Sequence, residues 1–228
     1  MRRLLALVSV IVFVDAMLFG TLIPLVPGYV DEFALSKLEA GLLVGAFGGG
    51  AVVGGLPGGL LAGRVGPRRA VVLGLLLLGA ASFGFALAGT PLALGVARFV
   101  QGAASALTWA GALAWLTASA PRERRGAMLG TAFGVAVFGA ILGPLVGAVA
   151  KAVSIRISFA AVGAVALLLA AAAAAHASPT SELPAAGALG RALRDRAFGA
   201  GLWLNLLPAF LFGVVNVLVP LRLDEGGW

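Results

Sequence analysis

The sequence predicts an all-α, polytopic membrane protein: a six-helix N-terminal bundle followed by one further transmembrane helix. Three observations carry this. The chain is 61% hydrophobic and only 11% charged, far below the roughly 25% charged residues of soluble domains. Seven apolar runs, at about 4–26, 40–62, 70–89, 92–118, 127–150, 157–175 and 197–219, approach or exceed the ~20 residues that cross a bilayer. The connections between them alternate between arginine-rich and arginine-poor, as they do when a chain weaves through a membrane.

The first run follows Met1-Arg2-Arg3 and continues to Pro24 and Pro27. It is too long for a signal-peptide core, and no small-residue cleavage site follows it, so it reads as a membrane helix. Runs two and three are joined by a loop carrying Arg64, Arg68 and Arg69, and runs four and five by Arg122, Arg124 and Arg125. Arg191, Arg194 and Arg196 precede run seven. The opposite connections are short or acidic, with Asp31 and Glu32, Gly89-Thr90-Pro91, and Asp224 with Glu225; their basic residues are Lys37, Lys151, Arg156 and Arg222. The asymmetry places the N-terminus and the 2–3, 4–5 and 6–7 connections in the cytoplasm of a multi-pass cell-membrane protein. The sixth run is largely alanine from Ala170 to Ala175, which still favours helix. Domain boundaries follow: a bundle over 1–175, a Ser/Pro/Gly-containing cytoplasmic linker over 176–196, and 197–228 as the first helix of a second bundle. Pro57 in run two and Pro144 in run five lie about equally far along in glycine-rich surroundings. Matching interruptions of this kind suggest a three-plus-three inverted repeat.

Composition also narrows function. With no cysteine and a single histidine, His176, the chain lacks the ligands of a thiolate or imidazole metal site, and no cofactor is expected. No nucleophile–base pair is visible, which speaks against an enzyme. The basic balance, 16 Lys and Arg against 9 Asp and Glu, lies in short clusters between apolar runs and so reports topology rather than nucleic-acid binding.

Asp15 is the most informative residue. It lies about 16 Å along the first helix, near the bilayer midplane, where a charge costs at least about 3 kcal/mol. Such acids face a bundle interior and mark proton or substrate paths; the bland alternative is a fixed ion pair. Arg98 in run four is its expected partner, since the two depths differ by only about 5 Å. Arg98, Gln101, Ser105 and Thr108 share one helical face, bordered by Trp109. Ser105 and Thr108 have an alternative, bonding back to their own helix. In run seven Asn205 and Asn216 share a face that should line a cavity or another helix. In run five Gly139, Gly143 and Gly147 recur every four residues, as do Gly126, Gly130 and Gly134, and Gly41, Gly45 and Gly49 in run two. Such stripes let helices approach closely, and Pro144 permits a bend.

Four motifs resemble the major facilitator superfamily. The loop Gly59-Leu60-Leu61-Ala62-Gly63-Arg64-Val65-Gly66-Pro67-Arg68-Arg69 is similar to its cytoplasmic signature loop. Arg98, Gln101 and Gly102 match its R-x-x-Q-G pattern. Gly139-x3-Gly143-Pro144-x2-Gly147 is similar to the motif of its antiporters, and Asp15 with Pro24 and Pro27 completes D-x8-P-x2-P. Together they resemble the drug:proton antiporter branch. The resemblance implies proton-coupled efflux of a small amphipathic compound by alternating access, with Asp15 carrying the proton and Arg98 setting its affinity. Phe19, Gln101, Ser105, Thr108, Trp109, Asn205 and Asn216 are candidates for the cavity wall. It covers only the first seven of the family's helices, so the implied partners are the substrate, protons, the bilayer, and a C-terminal half or second copy. One departure is Gly63, where the family often has an aspartate implied to pair across the cytoplasmic gate; Glu123 is the candidate substitute. Two alternatives stay open: a non-transporting or half-size scaffold subunit, and a proton-independent metabolite facilitator.

Overall fold

The computed structural model describes residues 2–177 and single positions between 190 and 207. The chain divides into two compact units, Met1–Leu183 and Pro184–Trp228, and the first holds every element named below. Six spans long and apolar enough to cross a membrane occur among the described residues, matching the first six runs. The seventh run, with Asn216, and Asn205 within it, lies largely outside the described residues.

The first span is broken. It consists of α1 (Arg2–Gly20), a 3-10 turn (Ile23–Leu25) and α2 (Val26–Phe33). The cause is chemical: Pro24 and Pro27 have no N–H to return to the carbonyls four residues earlier. The remaining spans are α3 (Lys37–Val65), α4 (Pro67–Leu87), α5 (Pro91–Ser119), α6 (Arg125–Val153) and α7 (Ile155–Ala175). Their starts are encoded locally. Ser36 and Glu39 form a reciprocal capping box ahead of α3, and Thr90 and Ser154 cap α5 and α7. Gly66 joins α3 to α4 at φ 90°, a backbone state that glycine adopts without a Cβ penalty. Both α3 and α6 remain helical through Pro57 and Pro144, so the interruption expected there occurs instead in the first span.

The dominant helix pairs are α3 with α5, α4 with α5, α1 with α6, and α4 with α7. Exchanging the first three spans for the last three sends the α3–α5 pair onto α6–α1 and leaves α4–α7 in place, as a three-plus-three repeat requires, whereas the close α4–α5 pair maps onto α7–α1, which touch only slightly. Glycine sets both exchanged crossings. A Cβ on Gly139, Gly143 or Gly147 of α6 would run into the carbonyls of Phe13 and Met17 in α1 and of Thr21 just beyond it. On α3 the stripe is Gly50, Gly54 and Gly58, which face Phe99, Ala103 and Leu107 of α5. This corrects the expected stripe: Gly41 and Gly45 have nothing within 4 Å of a Cβ, and neither do Gly126, Gly130 and Gly134 on α6. Large apolar side chains such as Val52, Leu87 and Ile141 lie on the exposed surface, where hydrocarbon suits them.

Candidate functional site

Asp15 on α1 and Arg98 on α5 are both buried, at 2% and 1% exposure, but they do not bond to each other. Each spends its hydrogen bonds elsewhere. Arg98 Nη1 donates to the Leu18 carbonyl at 3.2 Å and to Gln101 Oε1 at 3.1 Å, and Nη2 donates to the Phe19 carbonyl at 3.2 Å. The reason lies in the broken span. Leu18 and Phe19 are in the last turn of α1, where helix carbonyls lose their intrahelical partners. A guanidinium there satisfies two of them and meets the negative end of the helix dipole. The Thr21 hydroxyl covers a third, the Met17 carbonyl, at 2.8 Å. Arg98 also lies 4.8 Å from the centre of the Phe47 ring, close enough for a cation–π contact.

Asp15 takes neutral donors instead. Ser105 Oγ donates to its Oδ2 at 2.6 Å and Trp109 Nε1 donates to the same oxygen at 2.7 Å. Asp15 Oδ1 and Arg98 Nε are buried with no hydrogen-bond partner among the described residues. The register follows from antiparallel packing: Arg98 meets Leu18 and Phe19, and Ser105 and Trp109, about two and three turns further along α5, meet Asp15 one turn earlier on α1.

The other residues of the polar stripe divide. Gln101 donates to Ser82 Oγ on α4 at 3.1 Å and accepts from Arg98, so it braces the arginine inside the bundle. Thr108 bonds back to the Ala104 carbonyl at 2.9 Å and packs against Gly74 of α4. Neither Gln101 nor Thr108 lines the cavity beside Asp15, contrary to expectation. That cavity, about 210 Å³, is lined by Asp15, Ala16, Phe19, Phe47, Ser105, Trp109 and Ala140. Phe19 and Phe47 meet edge to face at 5.5 Å, and Trp109 lies 5.5 Å from Phe133 of α6. Larger clefts of about 540 and 630 Å³ lie elsewhere and touch neither Asp15 nor Arg98. Sequence reasoning missed Phe47, Ser82 and Phe133. An isolated aromatic or serine in an apolar run carries no periodic signal, and only the packing reveals it.

In the loop between α3 and α4, Arg68 Nη1 donates to the carbonyls of Ala174 and His176 at 3.3 and 2.9 Å, holding the end of α7. Gly59, Arg64 and Arg69 are exposed, and Gly63 is half-buried. Glu123 lies exposed in the turn Arg122–Arg124. Among the described residues no group of three His, Cys, Asp or Glu could hold a metal.

The Major Facilitator Superfamily sequence model matches residues 8–228. The chain belongs to the Major Facilitator Superfamily. Membership gives it a multi-pass membrane transporter fold rather than an enzyme's, with the bilayer as its surroundings. No curated protein matches it. Among solved structures it is similar to a bacterial homologue of the human lysosomal transporter Spinster, inward-facing and unoccupied, with TM-score 0.71 and 17% identity over 79% of this chain and 44% of that one. It is also similar to a POT peptide transporter with sulfate bound, with TM-score 0.67 and 20% identity over 97% and 51%. A third is the proton:xylose symporter XylE, with TM-score 0.60 and 20% identity over 79% and 46%. The chain thus spans about half the length of these relatives.

Proposed function

We infer that the chain forms the N-terminal bundle of a proton-coupled exporter of small amphipathic compounds, of the drug:proton antiporter type. It would sit in the cell membrane with its N-terminus in the cytoplasm, with residues 176–196 linking it to a second bundle that begins at about 197. The observation that carries this reading is a buried carboxylate in a membrane-spanning helix, with one oxygen unpartnered among the described residues, beside a cavity lined by Phe19, Phe47 and Trp109. A membrane acid held by neutral donors is able to be neutral or charged, whereas a directly paired cation would bias it towards charge. The aromatic walls suit an apolar body. The antiporter-type glycines support the direction of transport, and they also pack α6 against the α1 segment that carries Asp15.

The test uses inverted membrane vesicles from cells expressing the intact coding sequence. Once a proton gradient is formed, an amphipathic substrate should release protons from wild-type vesicles and not from Asp15→Asn vesicles. The amide is nearly isosteric and carries no charge, so the variant should insert and fold. Equal substrate-driven proton release by both would refute the proton-carrier role.

A further inference from the structure

Two donors converge on one oxygen of Asp15 and none reaches the other. Ser105 Oγ and Trp109 Nε1 lie 2.6 and 2.7 Å from Oδ2, in the short range of hydrogen bonds to an ionised acceptor. Oδ1 is buried and unpartnered. The indole N–H can only donate, so a proton placed on Oδ2 would oppose it, donor against donor. A proton placed on Oδ1 opposes nothing, and leaves Oδ2 as a carbonyl oxygen that keeps both bonds.

We propose that Ser105 and Trp109 are positioning residues that hold Asp15 through Oδ2 and so make Oδ1 the atom that gains and loses the proton. This rests on the proton-carrier reading above. In the step, an O–H bond of a hydronium ion breaks as its proton bonds to Oδ1, leaving neutral water and a neutral carboxyl group, while the two bonds at Oδ2 persist; release runs the same exchange in reverse. The neighbours of this part of α1 are Phe47 from α3, Ala140 from α6, and Ser105 and Trp109 from α5, with Arg98 one turn away and engaged with backbone carbonyls. Arg98 is the one charged group among them. Trp109 also rests on Phe133 of α6, so the donor's position is fixed from two helices.

Infrared difference spectra separate the two oxygens. The full 228-residue chain in lipid nanodiscs is recorded at acidic minus alkaline pH, and the Asp15→Asn spectrum is subtracted to isolate the protonated carboxyl band. Hydrogen bonds to a C=O weaken it and lower its stretching frequency. With the proton on Oδ1, the C=O is Oδ2, so Ser105→Ala and Trp109→Phe should each move the band to higher frequency. Ser105→Thr, which keeps a hydroxyl, should restore the wild-type position. Trp109→Phe keeps an aromatic ring against Phe133, and Ser105→Ala removes a single oxygen, so each variant tests the arrangement without relying on the other. A band unmoved in either variant would overturn the proposal, because that donor would then not reach the C=O. Absence of any Asp15-dependent band would instead sink the proton-carrier reading, and this proposal with it.

Discussion

Adding one methyl group at Gly143 should destabilise the bundle, while the same change at Gly134 should stabilise it. Both glycines lie on α6 within a few turns of each other. A Cβ at Gly143 would strike the Met17 carbonyl oxygen and lie 3.0 Å from Gly20 Cα and 3.2 Å from Gly20 carbonyl carbon. All three are backbone atoms, so no side chain can swing away. Carbon atoms rest about 3.5–4.0 Å apart, so the α1–α6 crossing must open by roughly 0.5–1 Å. Overpacking of this kind costs about 1–3 kcal/mol. Alanine's better helix propensity returns up to ~1 kcal/mol. At Gly134 nothing lies within 4 Å of the added carbon, so only the propensity gain remains. The difference between Gly143→Ala and Gly134→Ala is therefore about 1–3 kcal/mol, the overpacking cost itself. Reversible unfolding of the purified chain in mixed micelles, titrated with a denaturing detergent, measures it. If Gly143→Ala proves as stable as Gly134→Ala, then α6 does not cross α1 through this glycine face.

Arg98 should behave as a brace for the end of α1. Arg98→Met removes the donors to Leu18 and Phe19 and should cost about 1–3 kcal/mol for each buried carbonyl left unsatisfied; Arg98→Lys should recover only part, because an ammonium cannot span two adjacent carbonyls as the guanidinium fork does. Hydrogen exchange of the amides from Thr21 to Val26 reports the change, and unaltered protection in Arg98→Met would remove the bracing role. Membrane orientation can be read by single-cysteine labelling, since the chain has no native cysteine. An impermeant reagent applied to intact cells should label position 37 and spare position 124; the reverse pattern would invert the topology.

How much of this was legible in the sequence differs by level. The six described spans were, because hydropathy over a bilayer's thickness leaves little choice, and polar residues at α5 spacing announce an inward face. The partner of each polar group was not. The expected Asp15–Arg98 pair rested on matched depth, but depth is one coordinate, and bonding also depends on rotation and on what competes for the donors. Thr108 and Ser105 show the limit: both are hydroxyls on the same face, yet Thr108 bonds to its own helix and Ser105 crosses to Asp15. The glycine stripes show it again. Gly41, Gly45 and Gly49 have the same spacing as Gly50, Gly54 and Gly58. Periodicity alone cannot choose between parallel stripes; the choice is made by α5, which offers Phe99, Ala103 and Leu107 to the second stripe.

The break in the first span connects these observations. Pro24 and Pro27 have no N–H for the carbonyls of Gly20 and Ile23, and α1 ends at Gly20. With the helix ended there, the Leu18 and Phe19 carbonyls of its last turn take the Arg98 donors. Asp15 is left to Ser105 and Trp109, which support a carboxylate without supplying a charge. Two prolines nine and twelve residues beyond the acid therefore help determine what the acid can do, although neither touches it. In the same way α6 brings glycines to the crossing, because the carbonyls of Phe13, Met17 and Thr21, with the Phe13 and Pro24 rings beside them, leave no room for a Cβ. A D-x8-P-x2-P spacing on one helix and a G-x3-G-P-x2-G spacing on another are thus two halves of one arrangement. The first ends α1 where its last-turn carbonyls occupy Arg98, and the second packs α6 against the helix that holds Asp15, with Trp109 resting on Phe133.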